Sequence, residues 1–342
     1  MPPKLKPRVN LVLFNENKFG GTITYTAHLY RALKLAGVDC MIYRPGKGLG
    51  PTKSFGYGAL HRTASMGILK NMDGMTLIAA CIGKKFSKQA LELMANGACM
   101  TVHDPNDLKY YDDTSIMQSD RIIIIRKNNT SICPNATFIP HPFDCYFGPQ
   151  TTHQTRRIHA VTLSRLGSIK RTKWILEANR ELPPDRQIWL RGHDDRFFTY
   201  NAFVRTGKFP EFKQDSEKPE SERCTFGNEF GEAQRIASRA TYLVDLTEIE
   251  GDGGGTQYTF LEGLDAGCVL VLNKAWIRPD GIWSPGVNCL TVGSPHELAQ
   301  CLTEDRTPRQ LIDMVHEARA ILPEHDPLVI GQRYLTFLQG KN

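Results

Sequence analysis

The chain has 342 residues, 41% hydrophobic and 23% charged, with a formal net charge of +6. At roughly 150 residues per domain the length favours two domains, and the apolar fraction argues against disordered, collagen-like or coiled-coil classes. No apolar run approaches the ~18–20 residues of a membrane helix.

Strand-like runs alternate with helix-length amphipathic segments from the start. After a basic N-terminus, Val9–Phe14 reads as a strand; the run stops at Asn15-Glu16-Asn17, too short for a secretory core. Thr22–Ala36 reads as a helix and Asp39–Tyr43 as a strand. Thr76–Cys81, helix Ser87–Asn96, Ala98–His103, Arg121–Ile125 and Ala136–Pro140 follow. The pattern then restarts. Ile158–Ser164, helix Thr172–Glu181, Gln187–Leu190, helix Glu232–Arg239 and Thr241–Asp245 come first. A helix led by Phe260–Asp265, the buried strand Cys268–Leu272 and helices Pro295–Leu302 and Thr307–Ile321 complete it.

Two successive α/β patterns imply two Rossmann-like domains, 1–145 and 146–342, with a last helix able to pack back on the first. Pro140-His141-Pro142-Phe143 through Thr155 reads as the connector, and Lys213–Arg223 as a surface loop. The nine cysteines are odd in number and lack CxxC pairing, so they read as reduced thiols of a cytoplasmic protein, without a zinc site.

Charge is unevenly divided. Residues 1–145 hold 18 Lys/Arg against 10 Asp/Glu, a balance of +8, and residues 146–342 hold 24 against 26, a balance of −2. The first half is therefore expected to meet something anionic, although ordinary solvated charge explains the same numbers.

Three motifs carry chemistry. Gly20-Gly21 lies at a strand-to-helix turn, where backbone N–H groups can approach an anion; a plain tight turn fits it too. It is not G-x-G-x-x-G, which argues against a dinucleotide oxidoreductase. Ser164-Arg165-Leu166-Gly167-Ser168-Ile169-Lys170 follows the first strand of the second half, and Arg165 and Lys170 there can neutralise a departing diphosphate. Glu250-Gly251-Asp252-Gly253-Gly254-Gly255-Thr256 is a glycine-rich loop opening a helix that carries Glu262. Its amides, Gly253 to Thr256, are expected to face phosphate or sugar oxygens, and Glu262 to accept from ribose hydroxyls.

With those residues in order, the chain resembles the large retaining, nucleotide-sugar-dependent family of GT-B glycosyltransferases. Gly20-Gly21 matches its N-terminal glycine loop, and Val102-His103-Asp104 its strand-end histidine. Ile139-Pro140-His141-Pro142-Phe143-Asp144 matches the connector and Leu163-Ser164-Arg165 with Lys170 the diphosphate clamp. Phe260–Gly267 matches the end of the Glu-x7-Glu motif, and Pro285-Gly286-Val287-Asn288-Cys289-Leu290 the turn beyond it. The position eight before Glu262 is Gly254, so Glu250, Asp252 or backbone alone must replace the first glutamate.

The resemblance implies a GT-B fold, two Rossmann-like domains facing across a cleft. It also implies transfer with retention from a UDP-type donor, needing no cofactor or divalent metal. Asp112-Asp113 and Asp194-Asp195 read as solvated loop carboxylates. His103 would hydrogen-bond a sugar hydroxyl or help to accept a proton. Arg165→Ala and Lys170→Ala are each expected to lower turnover severely with the fold intact. Arg44, Lys47, Lys53, Arg62, Lys84 and Lys85, with aromatics among them, suit a phosphate backbone and an extruded base. Compact size and charge also resemble the phage enzymes that glycosylate 5-hydroxymethylcytosine in DNA. The expected partner is duplex DNA with modified bases; a lipid-linked or surface glycan, or a nucleic-acid-binding protein that has lost catalysis, are the alternatives.

Overall fold

The computed structural model describes residues 6–16, 20–109, 111, 114–148, 158–192 and 229–340. Asp112-Asp113, Asp194-Asp195, Cys224, the 213–223 loop and part of the first glycine motif (Asn17 to Phe19) lie outside the described residues. The chain divides into two compact units, residues 1–144 with 323–342, and residues 145–322.

The first unit is built on a sheet in the order β3-β4-β2-β1-β5-β6-β7-β8. Its strands are β1 (Arg8–Phe14), β2 (Asp39–Pro45), β3 (Lys53–Gly56), β4 (Ala59–Ala64), β5 (Met75–Cys81), β6 (Cys99–Val102), β7 (Ile122–Ile124) and β8 (Thr137–Phe138). All neighbours pair in parallel except β3 with β4. β1 is apolar on both faces and buried on both, as a central parallel strand must be. Helices α1 (Gly21–Leu35), α2 (Met66–Lys70), α3 (Lys84–Ala95) and α4 (Pro105–Leu108) connect the strands.

The second unit has the all-parallel order β10-β9-β11-β12-β13. These are β9 (Ile158–Thr162), β10 (Ile188–Leu190), β11 (Ala240–Asp245), β12 (Val269–Asn273) and β13 (Leu290–Val292). Helices α5 (Thr172–Glu181), α6 (Glu232–Ala237), α7 (Tyr258–Asp265), α8 (Pro295–Thr303) and α9 (Pro308–Arg319) flank it. Its core includes Ile175, Val244, Val271, Leu298 and Val315.

The final helix, α10 (Pro327–Leu338), packs on α1 in the first unit. Gly331 permits this close crossing, because a Cβ there would stand 2.3 Å from the Ala32 carbonyl oxygen. The Tyr25 and Tyr334 hydroxyls meet at 2.6 Å in the same interface.

Besides the short helices α2 and α4, two features have no counterpart in the sequence expectation. The β3–β4 hairpin had no counterpart in it, because the strands are short, half polar and separated by Gly56-Tyr57-Gly58. β13 was missed because its three residues run straight on from the Pro285–Cys289 turn, with which Leu290 was read.

Candidate active-site elements in the two units

In the second unit, β9 runs into the loop holding Arg165 and Lys170. Thr172 closes this loop, its Oγ1 accepting from the Gly167 N–H at 2.9 Å. Arg171 adopts a left-handed backbone (φ 50°) and pairs with Glu248, to which its Nε donates at 2.9 Å. Lys170, on the residue before, reaches the end of β11. Its Nζ donates to Asp245 Oδ2 at 2.9 Å and to Gln257 Oε1 at 2.9 Å. Asp245 has no exposed side-chain surface, and the Thr247 amide also donates to it at 3.0 Å.

Lys170 therefore holds a fully buried carboxylate. Lys170→Ala is thus expected to cost stability as well as turnover, since it removes the cation beside Asp245 and leaves the Thr247 amide and hydroxyl as its donors. Arg165 is exposed and makes no side-chain hydrogen bond or ion pair among the described residues. Glu262, in the second turn of α7, is 6% exposed and makes no side-chain hydrogen bond among the described residues. Burial pushes its carboxyl up to about 8; Asp245 and Asp265 act in the same direction, against Lys170. Its neutral form can donate a hydrogen bond and its ionised form can accept two.

The glycine-rich loop is fastened by the segment after β12. The Gly254 N–H donates to the Trp276 carbonyl at 2.6 Å, and the Ile282 N–H to the Gly254 carbonyl at 3.1 Å. Trp276 and Trp283 both donate their indole N–H to the Gly255 carbonyl, at 2.9 and 2.8 Å. Arg278 donates to the Asp252 carbonyl at 2.7 Å.

The expectation that the Gly253 and Gly254 amides face phosphate is corrected by this arrangement. The Gly253 N–H is taken by Asp252 Oδ1 at 2.9 Å and that of Gly254 by Trp276. Their missing side chains serve packing: a Cβ on Gly253 would stand 2.9 Å from the Trp276 carbonyl oxygen. The Gly255 amide makes no hydrogen bond among the described residues, and Thr256 follows it, buried, before α7. Glu250 is exposed and Asp252 is buried. Asn288 organises the turn into β13, accepting from Ser284 N–H at 2.8 Å and donating to the Ile282 carbonyl at 2.9 Å.

In the first unit, Gly20-Gly21 follows β1, Lys84 and Lys85 follow β5, and His103 follows β6. β1, β5 and β6 are neighbours, so these residues share the carboxyl edge of one parallel sheet, where open α/β folds bind ligands. Gly20 has φ 116°, and no side chain caps α1, whose first turn carries no acid. That end favours negative charge.

His103 is buried, with its Nε2 at 2.8 Å from the Ala79 carbonyl oxygen. A carbonyl only accepts, so Nε2 carries the proton and Nδ1 the lone pair. Burial lowers its pKa to about 4, which leaves a neutral acceptor at pH 7. Tyr25 of α1 packs edge-on against its ring at 4.5 Å. Asp107 accepts from the His103 backbone N–H at 2.8 Å; burial, then Asp104, pushes this carboxyl up to about 7. Asp107, Tyr25, Asp245, Gln257 and the two tryptophans were missed by sequence reasoning. The two tryptophans, seven residues apart beyond the glycine loop, were the available signal.

The six predicted acceptor-side cations are spread over three elements. Arg44 is half-buried on β2 and stands over the Phe55 ring at 5.2 Å. Lys47 is exposed in the following loop, Lys53 is exposed on β3, and Arg62 on β4 donates to the Gly50 carbonyl at 2.9 Å. Lys84 and Lys85 open α3, and Lys85 pairs with Glu16 at 2.5 Å.

Comparison with protein-family models found no match, and neither did comparison with curated proteins. Solved structures do match. An alpha-glucosyltransferase in complex with UDP-glucose and DNA containing an abasic site aligns with a TM-score of 0.68 at 12% identity, over 97% of this chain and 99% of that one. The Anabaena protein Alr3699/HepE in complex with UDP-glucose aligns at 0.61 and 13% identity, over 97% and 99%. A glycosyltransferase from Rickettsia africae aligns at 0.64 and 13% identity, over 98% of each chain. The fold is GT-B. Among the described residues no group of three His, Cys, Asp or Glu side chains is placed to hold a metal ion. No helix among them is long and apolar enough to cross a membrane.

Proposed function

We propose that this chain is a glycosyltransferase moving a sugar from a UDP-type donor to a hydroxymethylated base in DNA. The observation that carries the donor half is the juxtaposition at the ends of β9 and β11. A pinned Lys170, and Arg165 on the same loop and buried Glu262, neither with a side-chain hydrogen bond among the described residues, lie in one Rossmann-like unit. This is a constellation for a nucleoside diphosphate, with Glu262 on the ribose diol.

The reaction breaks the bond between the anomeric carbon and the diphosphate oxygen. Arg165, Lys170 and the Gly255 amide would stabilise the charge that collects on the diphosphate. A hydroxyl of the acceptor attacks the same face of the sugar, and its proton passes to the departing phosphate oxygen. Retention of configuration follows. His103, held as a neutral acceptor, would receive a hydrogen bond from a sugar hydroxyl and orient the ring. The Lys170 ammonium supplies charge that a metal ion supplies elsewhere.

The DNA half rests on the +8 of residues 1–145 and on a fold neighbour that is described with UDP-glucose and DNA. Release of UDP from UDP-glucose, with hydroxymethylated or unmodified duplex present, tests both halves. Release stimulated by the hydroxymethylated duplex supports the proposal. Release stimulated only by a glycan or lipid acceptor rejects the DNA half, and no release with any UDP-sugar rejects the enzyme.

A further inference from the structure

The 33 residues from Cys40 to Met72 contain no aspartate or glutamate, yet include Arg44, Lys47, Lys53, Arg62 and Lys70. They form β2, a glycine-lysine loop (Gly46-Lys47-Gly48-Leu49-Gly50), the β3–β4 hairpin and α2. Protein surfaces ordinarily intersperse both signs, so a run of this length with one sign creates a directed field.

Strand register decides which side chains share a face. Lys53 pairs with His61, and His61 with Ile42; Arg44, two residues beyond Ile42, therefore stands on their face. Lys47 and Lys53 are exposed and neither has a carboxylate partner among the described residues. A single lysine on an edge strand would serve to block strand pairing. That does not account for Lys47, which lies in the loop, or for Arg44, which lies on an inner strand.

The hairpin is fixed at its tip. Gly56, Tyr57 and Gly58 have φ of 103°, 51° and 73° in succession, and for tyrosine this conformation costs about 1–2 kcal/mol. The Tyr57 hydroxyl lies 3.4 Å from Thr24 Oγ1, and its ring centroid lies 6.1 Å from that of His28. Thr24 and His28 are in the first two turns of α1, the helix opened by Gly20-Gly21. A basic two-stranded ribbon is thus tethered to α1 at its tip, and the glycine-lysine loop before it follows β2 at the carboxyl edge of the sheet. A ribbon of that width fits a major groove, and exposed glycine amides can approach phosphates closely.

We infer that the β3–β4 hairpin and the loop before it form the surface that seats the phosphate backbone of an acceptor duplex. This rests on the DNA half of the proposed function. The test measures binding of a hydroxymethylated duplex by fluorescence anisotropy between 50 and 200 mM potassium chloride (about the range over which phosphate contacts are separated by salt). The variant is Lys47→Glu with Lys53→Glu, and UDP binding and thermal melting monitor its fold. Lys173→Glu with Lys274→Glu, in the second unit, is the charge-matched control. The hairpin variant is expected to bind at least about tenfold more weakly, with a salt slope shallower by about 2, while the control shifts little. Equal behaviour of the two variants, with tight wild-type binding, overturns the hairpin and leaves the DNA reading intact. A wild type that neither binds nor modifies the duplex removes that reading itself. If the hairpin variant instead loses only affinity for phosphatidylglycerol vesicles, the surface faces a membrane and the inference fails.

Discussion

Lys170 donates to Asp245 and Gln257, so its charge has a structural task beside the chemical one proposed for it. Lys170→Ala should lower turnover by about 10²–10³-fold, the scale of losing one charge-stabilising donor, and destabilise the protein by about 3–5 kcal/mol. Arg165→Ala should cause a similar loss of turnover with unchanged melting, because its side chain is exposed. Steady-state kinetics with thermal melting checks both; equal stability of the two variants would show that the Lys170–Asp245 pair is not structural. Glu262→Gln should weaken UDP binding by roughly 2- to 12-fold, the range for a hydrogen bond between neutral groups. Its carboxyl holds a proton up to about pH 8, whereas an unfolded glutamate releases it near 4.5. Between those values the folded state binds the extra proton, so this group's contribution to stability fades as pH rises. Denaturant midpoints should show that Glu262→Gln flattens the decline from pH 6 to 8; an unchanged slope would mean that Glu262 ionises freely.

The glycine-rich loop and the 276–283 segment behave as one element, and their coupling runs through a single carbonyl. Because Trp276 and Trp283 both donate to the Gly255 carbonyl, they fix the peptide that leads into Thr256. Trp283→Phe keeps the ring against Phe260 and removes one N–H. It should raise the KM for the donor several-fold with a smaller effect on kcat, and unchanged kinetics would show that the clamp does not position the donor. In the first unit, four buried histidines have lowered pKa values: His28 to about 3, His103 to about 4, and His141 and His325 lowered as well, in each case mainly by burial. Unfolded histidine titrates near 6.5, so below that pH the unfolded chain takes up protons that the folded unit refuses. Stability should therefore fall on acidification by up to about 1.4 kcal/mol per histidine per pH unit. The four tryptophans all lie in the second unit, so their emission reports that unit. Between pH 7 and 5.5 the urea midpoint by far-UV circular dichroism should drop ahead of tryptophan emission; coincident, pH-independent midpoints would contradict the assignment.

Elements with a strong repeat were legible in the sequence: α5 spans Thr172–Glu181 as its apolar spacing indicates, and β1 lies on its hydrophobic run. The positions of Lys170 after β9 and of Glu262 in α7 were legible because strand ends and helix starts fix where a local motif lies. Asp245, Asp107 and the tryptophans were not, since their roles arise from contacts made only after distant segments meet. The glycine loop misled for a related reason. Composition shows that the backbone can approach something closely, and here much of that approach is to Trp276, Arg278 and Gly281.

At the scale of the whole molecule, the chain has a GT-B fold whose first unit carries the excess of positive charge and whose second carries Arg165, Lys170 and Glu262, the residues of the proposed donor site. The net +6 is thus the sum of two unlike halves, +8 and −2. In the proposed function acceptor recognition should depend more steeply on salt than UDP binding, for which Arg165 is exposed while Lys170 and Glu262 are shielded. The most direct measurement is nucleoside mass analysis of hydroxymethylated duplex DNA incubated with the protein and UDP-glucose. The account requires a hexose added to the hydroxymethylated nucleoside, abolished by Arg165→Ala and absent with unmodified DNA. Unmodified nucleosides in that digest, alongside transfer of glucose to a glycan or lipid acceptor, would contradict it.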